Sequence, residues 1–136
     1  MIEIKTEYQG KLRCRSVHGP SGTICETDAP VDNHGLGESF SPTDLVATGL
    51  GNCMATIMGI VAARKEIDLV GMKITVGKEM SKELPRRISK LGVRIEVPLA
   101  ADHPDRKLLE NAALTCPVHQ SLHPDIEVPI DWCWHV

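Results

Sequence analysis

A chain of 136 residues is the length of one ordinary domain and has enough surface to bury that no disulfide framework is needed to hold it. Its 15 Lys and Arg are interspersed with 18 Asp and Glu, and two Trp, one Tyr and one Phe leave little to stack on bases, so nucleic acid is excluded as an expected partner. Glu3, Lys5, Glu7, Lys11 and Arg13 interrupt any signal-peptide core, and the longest weakly polar run, Cys53 to Ala63, is shorter than the ~20 residues of a membrane helix; the expectation is a cytoplasmic protein with no membrane partner.

Ile2, Ile4 and Thr6, then Gln9-Gly10, then Leu12, Cys14 and Ser16 predict a hairpin in which Gly10 supplies the positive φ of the turn. A third short strand over Thr23 to Thr27 follows the turn His18 to Gly22. Asp28 to Phe40 has no period and carries Pro and Gly, which marks an irregular surface loop of a length that is often functional. Ser41-Pro42-Thr43-Asp44 is a helix start: a hydroxyl at the N-cap, Pro at the first helical position and a carboxylate in the first turn. The helix it opens runs to about Arg64 and is apolar on nearly every face, so it is expected to be central and buried on most sides. Gly49 and Gly51 weaken that helix and point to a close approach of another backbone or a substrate.

Val70 to Met80 and Arg86 to Val97 predict a second hairpin through the turn near Pro85, with Gly92 as a candidate bulge. Asp102-His103-Pro104-Asp105 caps a second helix on which Leu108, Ala112 and Cys116 share a face, and which Pro117 kinks or ends. Val128, Ile130, Trp132 and Trp134 alternate along a closing strand. The chain is thereby expected to form a single α+β domain over residues 1–136.

Five cysteines in a chain without an export signal are to be read as thiols in a reducing compartment. Cys53, in the middle of the apolar helix, and Cys116, at the end of the second helix, are the candidates for chemistry; the competing reading is that each is a small buried hydrophobe. Cys14 and Cys25 on strands, and Cys133 between two tryptophans, are expected to be packing or surface residues, and Glu38 and His34 on the long loop to be solvated. A metal reading would take Cys116, His119 and His123 with Cys53, but no second close Cys or His pair completes a zinc set, so neither metal nor cofactor is expected.

The segment Ser41-Pro42-Thr43-Asp44-Leu45, followed by Gly51-Asn52-Cys53 and later by Cys116-Pro117-Val118, resembles the two cysteine motifs of the OsmC/Ohr superfamily, the osmotically inducible protein C and organic hydroperoxide resistance proteins. The resemblance extends over the whole chain. It implies an intertwined α+β homodimer in which antiparallel β-sheets pack around a central buried Cys helix and a second Cys helix, with active sites at the subunit interface. It also implies that Cys53 is the peroxidatic thiol and Cys116 the resolving thiol of a thiol-dependent peroxidase. In that chemistry an organic hydroperoxide oxidises Cys53 to a sulfenate, a Cys53–Cys116 disulfide follows, and an external dithiol reduces it. One departure stands out. Active members carry an Arg on the loop before the Cys helix and a Glu in its first turn, whereas here Thr43 holds the position ten before Cys53, beside Asp44, and no Arg lies between Arg15 and Arg64. Thr43, Asp44, His34, Arg13 and Arg15 are therefore the candidate supporting residues. The alternative is an OsmC-like redox sensor or small apolar ligand binder with weak or no peroxidase activity.

Overall fold

The computed structural model describes residues 1–135, and the chain divides into two compact units, Met1–Val46 and Ala47–Val136. In the first unit β1 (Ile4–Gly10), β2 (Arg13–His18) and β3 (Ile24–Asp28) form an antiparallel sheet in the order β1-β2-β3. Thr6 lies opposite Ser16 and their hydroxyls hydrogen-bond at 2.9 Å, which pins the register. Gly10 does adopt positive φ, at 82°, but the turn itself falls on Lys11 and Leu12, both left-handed, because the register shifts between Tyr8 and Gly10. A glycine-containing bulge thus carries the extra residue that sequence alternation had placed in the turn.

The long loop is irregular yet tied to itself. A 3-10 turn, Val31–Asn33, ends at His34, the Gly35 and Gly37 amides donate to Pro30 and Ala29 carbonyls, and the Asp28 amide donates to Phe40 O at 3.1 Å. Gly35 is obligatory there, because a Cβ would stand 1.7 Å from the Ala29 carbonyl oxygen. The loop delivers Ser41, whose Oγ accepts the Asp44 amide at 3.1 Å while its own amide donates to Asp44 Oδ2 at 2.8 Å. This reciprocal box, with Pro42 at the first position, starts α1 (Pro42–Arg64) where the sequence predicts.

In the second unit α1 buries one face, carried by Ala47, Leu50, Gly51, Met54, Met58 and Ala62. The expectation that it is buried on most sides is not met within the chain: Ile60 is 44 % exposed and Val46, near the start of the same helix, 37 %. One sheet can cover only one side of a helix, so an all-round apolar sequence leaves a stripe uncovered. The apolar stretch is also longer than the run from Cys53 to Ala63: the 23-residue helix is long and apolar enough to span a membrane by length and composition alone. Leu50, Met54 and Met58, however, are fully buried in the core.

That core rests on β4 (Lys73–Met80), β5 (Ile88–Val97) and β6 (Ile130–Trp134), in the order β4-β5-β6. The sheet is mixed rather than antiparallel: β4 runs against β5, but β6 runs parallel to it, because two helices lie between them and return the chain to the starting end. Central β5 supplies Ile88, Leu91, Val93, Ile95 and Val97 to the core. Gly92 marks no bulge; it pairs directly with Gly77, and the register shift falls between Glu79 and Met80.

The two helical glycines separate cleanly. A Cβ on Gly51 would meet Val76 Cγ2 at 3.2 Å and Ile74 Cγ2 at 3.6 Å, so this glycine lets α1 approach β4, while a Cβ on Gly49 meets nothing within 4 Å. Gly51→Val should therefore cost about 1–3 kcal/mol through overpacking. Gly49→Ala should gain about 0.5–1 kcal/mol in helix propensity. Urea titrations of the two variants would read the opposite signs, and equal shifts would contradict the contact geometry.

The helix α2 (Arg106–Leu114) presents Leu109, Ala112 and Ala113 to the core, whereas Leu108, expected on that face, is 43 % exposed. The buried stripe begins one residue later because Leu109, Ala112, Ala113 and Cys116 follow the three- and four-residue spacing of a helix face. Glu110 Oε1 accepts from both Arg106 Nε at 2.9 Å and Trp134 Nε1 at 2.8 Å, and the Arg106 guanidinium lies 5.3 Å over the Trp134 ring, which ties α2 to β6. Cys116 is not the end of α2. It is extended, at ψ 137°, and N-caps a short helix α3 (Pro117–Ser121) with Pro117 at its first position. The pyrrolidine ring disfavours helical backbone at the residue before it, which is why the chain breaks at Cys116 and restarts.

Candidate active site

The buried face of α1 and the α2–α3 junction bring the two predicted thiols together. Cys116 is 0 % exposed, and Cys53, half-buried on α1, is close enough to act on its thiol. The Cys116 sulfur also accepts the His119 amide at 3.2 Å, the N-cap bond of α3. All five cysteines are free thiols. Burial pushes the Cys116 thiol above its ordinary 9.0; the His119 amide opposes this, Cys53 adds to it, and the Val118 amide opposes it more weakly.

The sign of that shift fixes a pH dependence. A thiol whose pKa is raised on folding contributes its full share of stability below the unfolded value, and that share is lost as pH rises through the folded value. Stability should thus be flat for this group up to about the ordinary 9.0 and fall beyond it, with Cys116→Ser flattening the alkaline limb. Urea midpoints of parent and variant between neutral pH and that limb would measure it; identical alkaline slopes would remove Cys116 as the cause.

The supporting candidates lie in the first unit. The Arg13 guanidinium hydrogen-bonds Glu38 and stands 3.7 Å from Asp28 Oδ2, and the Glu38 hydrogen bond is the main reason its pKa is raised further. Arg15 faces Glu7 on β1 and Glu26 on β3 across the sheet. His34 is an exposed residue at the end of the 3-10 turn, with φ 70°. Asp44 and Thr43 serve the helix start, Thr43 Oγ1 lying 3.2 Å from Ser41 Oγ. Sequence reasoning missed Glu38 and Asp28 as the partners of Arg13, having read Glu38 as a solvated loop residue. Asp28 is almost fully buried, takes the Glu38 amide at 3.1 Å, and with Arg13, Cys14 and Glu38 lines a polar cavity of about 310 Å³. No spacing in the sequence links residues on β2, β3 and the loop; only strand pairing does. Among the described residues no group of three or more His, Cys, Asp or Glu side chains is placed to hold a metal ion.

A small α+β protein with a buried thiol poised against a helix thiol is the class that this geometry defines. A family model described as OsmC-like protein matches residues 35–131. The crystal structure of a Psychrobacter arcticus protein described as an osmotic stress induced and detoxification response protein is 46 % identical, with 97 % of this chain and 96 % of that one covered at a TM-score of 0.90. An organic hydroperoxide resistance protein OsmC from Legionella pneumophila shares the fold at 15 % identity, over 98 % and 96 % of the two chains, with a TM-score of 0.79. An OsmC-like protein from Mycoplasma pneumoniae does so at 12 % identity, over 100 % and 98 %, with a TM-score of 0.82. No curated protein matches the chain. The chain belongs to the family of OsmC-like proteins.

Proposed function

We propose that this protein is a thiol-dependent peroxidase that reduces organic hydroperoxides. The observation that carries the reading is that a half-buried Cys53 neighbours a fully buried Cys116 and acts on its thiol. The Cys53 thiolate attacks a peroxide oxygen, forming an S–O bond as the O–O bond breaks; the alkoxide takes a proton and leaves as an alcohol. Cys116 then displaces the sulfenic hydroxyl as water, closing the Cys53–Cys116 disulfide, and an external dithiol restores both thiols. The apolar character of α1 favours an alkyl hydroperoxide over hydrogen peroxide. The working form is a cytoplasmic homodimer, supported by the uncovered stripe of Val46 and Ile60. Thr43 at the position of the family's Glu favours the second reading, a redox sensor or small apolar ligand binder with weak or no peroxidase activity.

Peptide mapping after one equivalent of an organic hydroperoxide tests the reading. A Cys53–Cys116 link is expected; Cys53 joined to Cys14, Cys25 or Cys133, or left reduced, would sink the two-thiol route. Light scattering at micromolar concentration should give the mass of a dimer, and a monomer mass would remove that part of the proposal.

A further inference from the structure

We infer that α3 is a redox-responsive element, its first turn held by the Cys116 thiol and released when that sulfur closes a disulfide with Cys53, an inference that rests on reading these two thiols as the redox pair. α3 has five residues, too few for a helix to persist on its own hydrogen bonds. Pro117 brings no N–H to the first turn, and the His119 amide has Cys116 Sγ, 3.2 Å away, as its acceptor. At the other end the Leu122 amide reaches His119 O only at 3.4 Å. The atom that caps this helix is thus an atom that the redox step changes. Cys53 and Cys116 are both free thiols, so their sulfurs stand apart. Oxidation joins them: two thiol protons and two electrons pass to the peroxide by way of the Cys53 sulfenate, or to another two-electron oxidant, and an S–S bond forms. Disulfide geometry is narrow, so the Cys116 sulfur is drawn toward α1 and its lone pairs turn away from the His119 amide. A disulfide sulfur also cannot ionise, so the strongest acceptor form of the cap is lost.

The second observation is independent of that bond. His119 Nδ1 is buried and has no hydrogen-bond partner among the described residues. An unpaired buried polar atom is destabilising, and water satisfies it once the turn opens. The folded turn therefore carries a standing cost, which the cap offsets while the sulfur is reduced. Val118 and Leu122 pack against the core, which keeps α3 anchored and confines the release to the cap and to His119. The oxidised chain then presents a different α3 surface from the reduced one, a difference that a thiol sensor can signal.

Amide hydrogen exchange followed by NMR reads the cap bond directly. In the full-length chain with Cys14, Cys25 and Cys133 replaced by Ser, diamide closes the Cys53–Cys116 disulfide without peroxide, its N=N bond taking up the two protons and two electrons as a hydrazine. The His119 amide should exchange about 5–30-fold faster in the oxidised chain than in the reduced one, the scale of a lost N-cap, while the amides of Leu109 and Ala113 on α2 keep their rates. Under reducing conditions Cys116→Ala should show the same acceleration, and Cys116→Ser, whose hydroxyl is a good N-cap, should stay within about threefold of the parent. An oxidised chain whose His119 amide exchanges within about twofold of the reduced one overturns the inference. So does a Cys116→Ala as slow as the parent, an acceleration shared equally by α2, or a chain in which diamide closes no Cys53–Cys116 bond. If the disulfide forms and frees the His119 amide but the parent consumes no hydroperoxide, the peroxidase reading fails and this inference stands. If hydroperoxide is consumed and the disulfide leaves that amide protected, only this inference falls.

Discussion

Cys53→Ser is expected to abolish hydroperoxide consumption, and Cys116→Ser to convert turnover into a single event. The reason is chemical. A serine hydroxyl is not ionised at neutral pH and cannot form the S–O bond, so removal of the nucleophile should lower the rate by on the order of 10³ or more. Without Cys116 the sulfenic acid still forms on Cys53 but has no neighbouring thiol to condense with. In the absence of added thiol the variant should consume one equivalent per chain and then stop, holding a sulfenate that a 1,3-dione probe labels. Following peroxide loss and probe incorporation together gives both results. Sustained turnover by Cys53→Ser would move the chemistry to another thiol, and unlabelled Cys53 in a stalled Cys116→Ser would mean that Cys53 is not the oxidised atom.

The largest stability effect is expected for Met54→Ala. Met54 is fully buried on the inner face of α1, in one cluster with Leu50, Met58, Leu91, Ile95 and Leu109. Removing its side chain forfeits the transfer energy and leaves a cavity between helix and sheet, a loss of about 2–5 kcal/mol. Against a total stability of roughly 5–15 kcal/mol that is a large share. For a chain of this length it corresponds to a fall in Tm of about 8–20 °C. Thermal melts and urea titrations would measure it. A loss under about 1 kcal/mol would mean that neighbouring side chains close the space, contrary to a helix held at fixed distance by the Gly51 contact with Val76.

The sequence by itself determined the elements whose causes are local. Ser41, Pro42 and Asp44 start α1 through a cap made of adjacent residues, and the helix ends at Arg64, where the apolar run gives way to charged residues. The alternation in Leu91, Val93, Ile95 and Val97 marked the central strand, because one buried sheet face imposes a period of two. The resemblance to two short cysteine motifs, not the spacing by itself, singled out Cys53 and Cys116 as the expected redox thiols.

What only the tertiary structure decided are the matters set by partners far apart in the sequence. The parallel placement of β6 depends on the path of two helices, not on the pattern of its own residues. Leu109 replaced Leu108 in the core because the rotation of α2 is set by the sheet beneath it. Gly51 and Gly49 read alike as letters, yet only Gly51 meets side chains of β4. The pairing of Arg13 with Glu38 and Asp28 follows from how strands and loop meet in space, which no local rule of propensity or spacing encodes.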